Sequence, residues 1–237
     1  MLLTFEERLS DSPFVERIWR SHSDRAGSFI SMAVNQWVMC VTRLDGTINL
    51  TVRGPETKAT RFDCPADGEW LGIHFKFGTF MPHLPARDMV DGSITLPEAA
   101  CKSFCLHGSA WQFPDYENAD TFVARLVREG LLVLEPIVDA TVQGQLIDLS
   151  LRSAQRRFLR ATGLTHGAAR QIERARLATI LLKQGVSILD TVDQAGYADQ
   201  PHLTRSLKYY IGQTPAQLIS RNESEQLSFL FKTASFC

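Results

Sequence analysis

At 237 residues, 44% hydrophobic and 22% charged, the chain has the make-up of a soluble globular protein with room for one large or two small domains. No apolar run approaches the roughly 20 residues a membrane helix needs, and the opening MLLTFEERLSDS is acidic and polar, unlike a signal peptide, so a cytoplasmic protein is expected. The net charge of −1 hides an asymmetry: residues 1–115 carry 11 Lys/Arg against 14 Asp/Glu, whereas residues 146–220 carry 10 against 5. Positive charge gathered in the C-terminal part is what phosphate neutralisation requires. Five cysteines without regular spacing argue against a disulfide framework. Cys40 and Cys64 read as buried thiols, and Cys101 and Cys105 are spaced to share a helix face, with no second CxxC or HxxxH to complete a metal site.

From Phe29 to about Phe80 the pattern is that of strands. SFISMAV and QWVMCVTRL are β-branched or aromatic runs, and Asp45-Gly46 is a hairpin signal. TINLTVR alternates Ile48, Leu50 and Val52 with polar neighbours, and EWLGIHFKFG places Ile73, Phe75 and Phe77 on one face. Several short strands with turns between them suggest a small antiparallel barrel or sandwich. Trp37, Trp70, Phe75 and Phe77 read either as plain core or as the lining of an effector pocket. His22, Glu69, His74 and His83 are scattered, as hydrogen-bonded structural groups usually are, and no metal site is assigned.

Residues 82–97 have the composition of loops. PEAACKSFCLH is compatible with a short helix that buries Ala99, Cys101, Phe104 and Cys105, and GSAWQFPDYEN (108–118) reads as the domain joint. Asn118 is placed to cap the next helix, whose apolar stripe is Phe122, Leu126 and Val127.

Two stretches then repeat one pattern: an apolar helix, a tight turn, and a short helix rich in Arg, Gln and His. The first has a supporting helix at 135–145, a turn at Asp148 closed by Ile147 and Leu149, a cap at Ser150 and a second helix at 151–161. Ala154, Phe158 and Ala161 fall on its inner face, leaving Arg152, Gln155, Arg156 and Arg160 outward. The second has a supporting helix at 187–195, a turn at Gly196-Tyr197, a cap at Asp199 and a second helix at 200–210. There Leu203 and Leu207 face inward, and Gln200, His202, Thr204, Arg205 and Lys208 are left available. Between them, 167–184 reads as one connecting helix of about 18 residues, roughly 27 Å long.

A sharp turn into a polar helix is the helix-turn-helix arrangement, whose second helix enters the DNA major groove. The residues Gly196-Tyr197, Asp199-Gln200, His202-Leu203-Thr204-Arg205, Gly212 and Thr214-Pro215 resemble the AraC/XylS family of bacterial transcription regulators. So do Ser150, Arg152, Gln155-Arg156-Arg157-Phe158 and Thr162-Gly163-Leu164 upstream. The resemblance covers about 122–218. It departs at Leu207, where the family usually has Phe, at Pro201, which offers no side-chain amide and weakens hydrogen-bond readout early in the second recognition helix, and at Asp148, in place of a turn glycine.

The resemblance implies an α+β chain. A β-rich, cupin-like barrel at 1–115 would sense or dock, an all-α DNA-binding domain at 116–222 would hold two helix-turn-helix units, and 223–237 would be a tail. It maps base contacts to Arg152, Gln155 and Arg156 in the first unit and to Gln200, Pro201, His202, Thr204 and Arg205 in the second. Phosphate contacts fall to Arg160, Thr165 and Lys208. Partners would be double-stranded DNA, RNA polymerase and a small-molecule effector, with no cofactor, and a monomer or homodimer acting as an activator. Two rivals stay open: a cupin-like metal- or small-molecule-binding protein or enzyme with a DNA-binding tail, and a ligand-free regulator whose N-terminal part binds protein. No GxSxG, HExxH or Cys–His pattern points to catalysis.

Overall fold

The computed structural model describes residues 3–99, 102–142, 144 and 149–220. The strands are β1 (Leu3–Leu9), β2 (Val15–Ser23), β3 (Gly27–Ser31), β4 (Val38–Leu44), β5 (Thr47–Arg53), β6 (Thr60–Cys64), β7 (Glu69–Phe75), β8 (Thr79–Phe80), β9 (Ser93–Thr95), β10 (Glu98–Ala99), β11 (Ser103–Leu106), β12 (Ser109–Gln112) and β13 (Val133–Leu134). The helices are α1 (Ala119–Arg128), α2 (Pro136–Val142), α3 (Leu151–Thr162), α4 (His166–Lys183), α5 (Ile188–Gln194), α6 (Gln200–Tyr210) and α7 (Pro215–Ile219), with a short 3-10 turn at Ala86–Met89.

Six strands form one antiparallel sheet in the order β1-β2-β7-β4-β5-β9. Asp45 and Gly46 both take positive φ, 50° and 74°, which turns β4 into β5 and pairs Leu44 with Thr47. Met39, Val41, Leu50, Leu71 and Ile73 are all at most 3% exposed. The cross-strand pairs Val41–Leu71 and Met39–Ile73 put them on a shared face, as a period of two requires. The expected barrel does not form among the described residues. β1 pairs only with β2, and β9, three residues long, pairs only with β5, so both stay at the edges of an open sheet.

The helix expected over 97–107 is replaced by β10 and β11, which continue into β12. Lys102, His107 and Gly108 adopt φ of 56°, 49° and 77°, conformations of a turn rather than a helix, while Phe104 and Leu106 are buried two residues apart. The stretch expected to be the domain joint therefore opens with a strand, and Trp111 on it is 1% exposed. Asn118 does stand at the start of α1, but its side chain caps no helix amide. Its Oδ1 instead accepts the Asp115 N–H at 3.0 Å. Helix α1 buries Ala119, Phe122, Val123 and Leu126, with Phe122 edge-on to Trp111, and is tied to β1 by an Arg8–Asp120 ion pair of 2.6 Å.

The chain divides into two compact units. The first holds the described residues of Met1–Gly27, Asn35–Pro55 and Cys64–His166, and so includes α1 to α3. The second holds Ser28–Val34, Glu56–Asp63 and the described residues from Gly167 onward. Cys101, the turn at Ile147 and Asp148, the end of the helix expected at 135–145, and the tail 223–237 lie outside the described residues.

Candidate nucleic-acid interface

In the first unit α2 and α3 make the upstream helix pair. The Ser150 hydroxyl accepts the Ser153 N–H at 3.3 Å, one of the amides that a first helical turn leaves unpaired. Gly163, at φ 72°, ends the helix, and a Cβ there would lie 2.4 Å from the Ala86 carbonyl oxygen. Ala154, Phe158 and Ala161 are buried, with Phe77 edge-on to Phe158 at 5.8 Å. Arg152, Gln155, Arg156 and Arg160 are exposed, as is Thr165 beyond the helix, and the Arg160 guanidinium stands 6.0 Å over the Phe80 ring.

Arg157 is committed elsewhere. Its guanidinium donates to both carboxylate oxygens of Glu135, at 2.5 and 3.1 Å. Glu135 is 5% exposed, and the hydrogen bond to this carboxylate raises the Arg157 pKa. The Glu135 carboxylate also accepts the Ile137 N–H at 3.4 Å, so a single acid ties α3 to the start of α2.

In the second unit α5 and α6 repeat the pair on an apolar core. Ala178, Leu182, Val192, Leu203, Leu207 and Ile211 belong to one buried cluster, and Leu207, the departure from the usual Phe, is fully enclosed. The Ser187 hydroxyl accepts the Asp190 N–H at 3.1 Å, and the Asp199 carboxylate accepts the His202 N–H at 2.6 Å. Thr214 and Gln217 cap α7 reciprocally. Gln200, Pro201, Arg205 and Lys208 are exposed, and Thr204 is half-buried.

His202 is held within the turn rather than extended. Its ring lies edge-on to Tyr197 at 5.1 Å, and its Nε2 is 3.4 Å from the Arg174 guanidinium. Arg174, from α4, lies 4.3 Å over the Tyr197 ring and donates to the Gly196 carbonyl at 3.2 Å. Below it, the Tyr197 and Ser206 hydroxyls meet at 2.9 Å in the interior. In the sequence Arg174 reads as one more arginine on a polar helix face, and the Glu135–Arg157 pair, 22 residues apart, carries no local signal. Only three-dimensional placement distinguishes these residues from their neighbours.

The four aromatic residues read as an effector pocket sit in different surroundings. Trp37 and Phe75 are buried core, and Phe77 faces α3. Trp70 lines an open groove of about 640 Å³ with Phe5, Arg20, His22 and Tyr116. Among the described residues no group of three or more His, Cys, Asp or Glu is arranged to hold a metal ion. His22 faces Glu69 across β2 and β7, His74 is 3% exposed, and His83 lies against His107 at 5.3 Å. Burial and the neighbouring imidazole push the His83 pKa down. Burial pushes the Cys40 thiol up to about 11.

Residues 145–221 match the family model described as a helix-turn-helix domain. No curated protein matches the chain. Among solved structures, that of ToxT from Vibrio cholerae aligns over 91% of this chain and 98% of its own, at 10% identity and a TM-score of 0.36. The family match falls on the segment that contains both the capped α3 and the capped α6. Residues 145–221 thus form an AraC-type helix-turn-helix domain, a DNA-binding module.

Proposed function

We propose that the protein is a sequence-specific activator that reads double-stranded DNA with α3 and α6 in successive major grooves. One observation carries the reading. Each helix is capped at its N-terminus and buries an apolar face, while its opposite face presents arginine and glutamine: Arg152, Gln155 and Arg156 on α3, Gln200 and Arg205 on α6. An arginine fork matches the O6 and N7 of guanine, and a glutamine amide matches the N6 and N7 of adenine, each pair worth about 1–3 kcal/mol of discrimination. Thr204 adds a hydroxyl, Pro201 an apolar contact, and His202 a ring already oriented by Arg174 and Tyr197. Arg160, Thr165 and Lys208 serve the phosphates, which position the protein without reading sequence.

Helix α4, 18 residues long and so about 27 Å, supports a spacing near one duplex turn of about 34 Å. All the DNA-reading residues lie within 116–222. The strand-rich part senses or docks, with a small-molecule effector in the groove beside Trp70 and RNA polymerase as the partner in activation. The protein works as a monomer or homodimer in the cytoplasm. Among the described residues no helix is long and apolar enough to cross a membrane. Selection of bound fragments from random duplex DNA tests the proposal. The expected product is a motif with two conserved blocks about one helical turn apart, and enrichment of no motif would overturn it.

A further inference from the structure

The last turn of an α-helix leaves its carbonyls without partners inside the helix. At the end of α6 two of these find partners far upstream in sequence. The Tyr210 carbonyl accepts the Ala33 N–H and the Tyr209 carbonyl accepts the Ala59 N–H, both at 2.8 Å. Both donors belong to the two short segments, Ser28–Val34 and Glu56–Asp63, that are part of the second unit. These segments form a ribbon. Strands β3 and β6 pair, Val34 and Glu56 exchange N–H···O bonds at 2.9 and 2.8 Å, and Phe29 stacks on Phe62 at 5.9 Å.

The ribbon also enters the core of the second helix-turn-helix. Met32 is 1% exposed and lies in the same apolar cluster as Leu203, Leu207 and Ile211. Gly212, at φ 81°, turns the chain after α6 so closely that a Cβ there would stand 2.8 Å from Ile30 Cγ2. Two backbone bonds, a buried methionine and a glycine contact thus converge on one end of one helix. The segment 145–221 matched by the family model lacks all the ribbon residues.

We infer that this ribbon, contributed by the N-terminal half, is a positioning element of the second reading helix. By holding the C-terminal end of α6 it sets the angle at which Gln200, Thr204 and Arg205 meet base edges. Ala33, Ala59 and Met32 are positioning residues and touch no DNA. The inference rests on the reading of α6 as a recognition helix given above, and adds to it that the second reading head is incomplete without residues from the far side of the sequence.

The test uses the full chain with Ala59→Pro, which removes one donor at a half-buried site, and in parallel Met32→Ala. In protein free of DNA, hydrogen exchange of the amides from 208 to 212 is expected to quicken by about 10-fold, the scale of one lost hydrogen bond, while the α3 amides keep their rates. On the selected duplex, protection of the half contacted by Arg205 is expected to weaken by about 10-fold while the half contacted by Arg156 persists. Unchanged exchange at 208–212 in both variants would overturn the inference. So would an equal loss of both halves with a collapsed melting transition, since that marks a general structural role. If the wild-type chain binds no duplex, the recognition reading itself fails, and the exchange rates still decide whether the ribbon holds the helix end.

Discussion

The two helix-turn-helix pairs share a design and differ in what supports them. Helix α3 rests on one aromatic anchor and one buried acid: Phe158 beneath it, with Phe77 at its edge, and Glu135 gripping Arg157. Helix α6 rests on a continuous apolar cluster, a buried Tyr197–Ser206 bond and the Arg174 stack across its turn. Its cap is also tighter, a carboxylate at 2.6 Å against a hydroxyl at 3.3 Å. The same outward chemistry can therefore be presented from a polar lock or from an apolar core, and the two should fail differently.

The largest effects are expected from the anchors. Phe158→Ala removes the one large side chain under α3 and should cost about 3–5 kcal/mol, while Leu207→Ala under α6 should cost about 2–5 kcal/mol. Denaturant unfolding followed by residue-resolved hydrogen exchange should place the first loss in α3 and the second in α6. Loss spread evenly over both helices by either variant would contradict the separate supports.

Next come the reading residues. Arg156→Ala and Arg205→Ala should each weaken binding to the selected duplex by about 1–3 kcal/mol and relax one base position, in different halves of the motif. Binding titrations against single-base variants of that duplex would detect it, and relaxation in the same half by both would contradict the assignment of one helix to each half.

The caps should sharpen the contrast at smaller scale. Asp199→Ala is expected to cost about 1 kcal/mol, with Ser150→Ala at or below that figure, read as melting shifts of the full chain. A larger loss at Ser150 would reverse the ranking of the two caps. Lys208→Ala should leave base preference intact and reduce the slope of log K against log salt by about 1. A changed motif would mean that Lys208 reads bases.

Legibility in the sequence followed the locality of the cause. Helix α6 occupies the expected 200–210, and α3 extends the expected 151–161 by one residue, because periodicity, cap and turn signals coincide there within a few positions. The β4–β5 hairpin was equally plain from Asp45-Gly46. Strand β2 has no clean period of two, because polar Arg17, Ser21 and Ser23 occupy buried positions and a bulge between Val15 and Arg17 shifts the alternation, while β1 buries only Leu3 fully. At 97–107 the apolar spacing fitted a helix as well as strands, and the turn at Lys102 carries no glycine to announce it. The presence of Met32 in the core beneath α6 had no local signal, since the pairing joins residues from opposite ends of the chain.

On the proposed reading, α3 and α6 enter neighbouring grooves of one duplex together. Hydroxyl-radical footprinting of the full chain on its selected duplex tests this most directly. Two protected blocks about 10 base pairs apart on one face are expected, the first lost with Arg156→Ala and the second with Arg205→Ala. A single protected block that responds to both substitutions would contradict it.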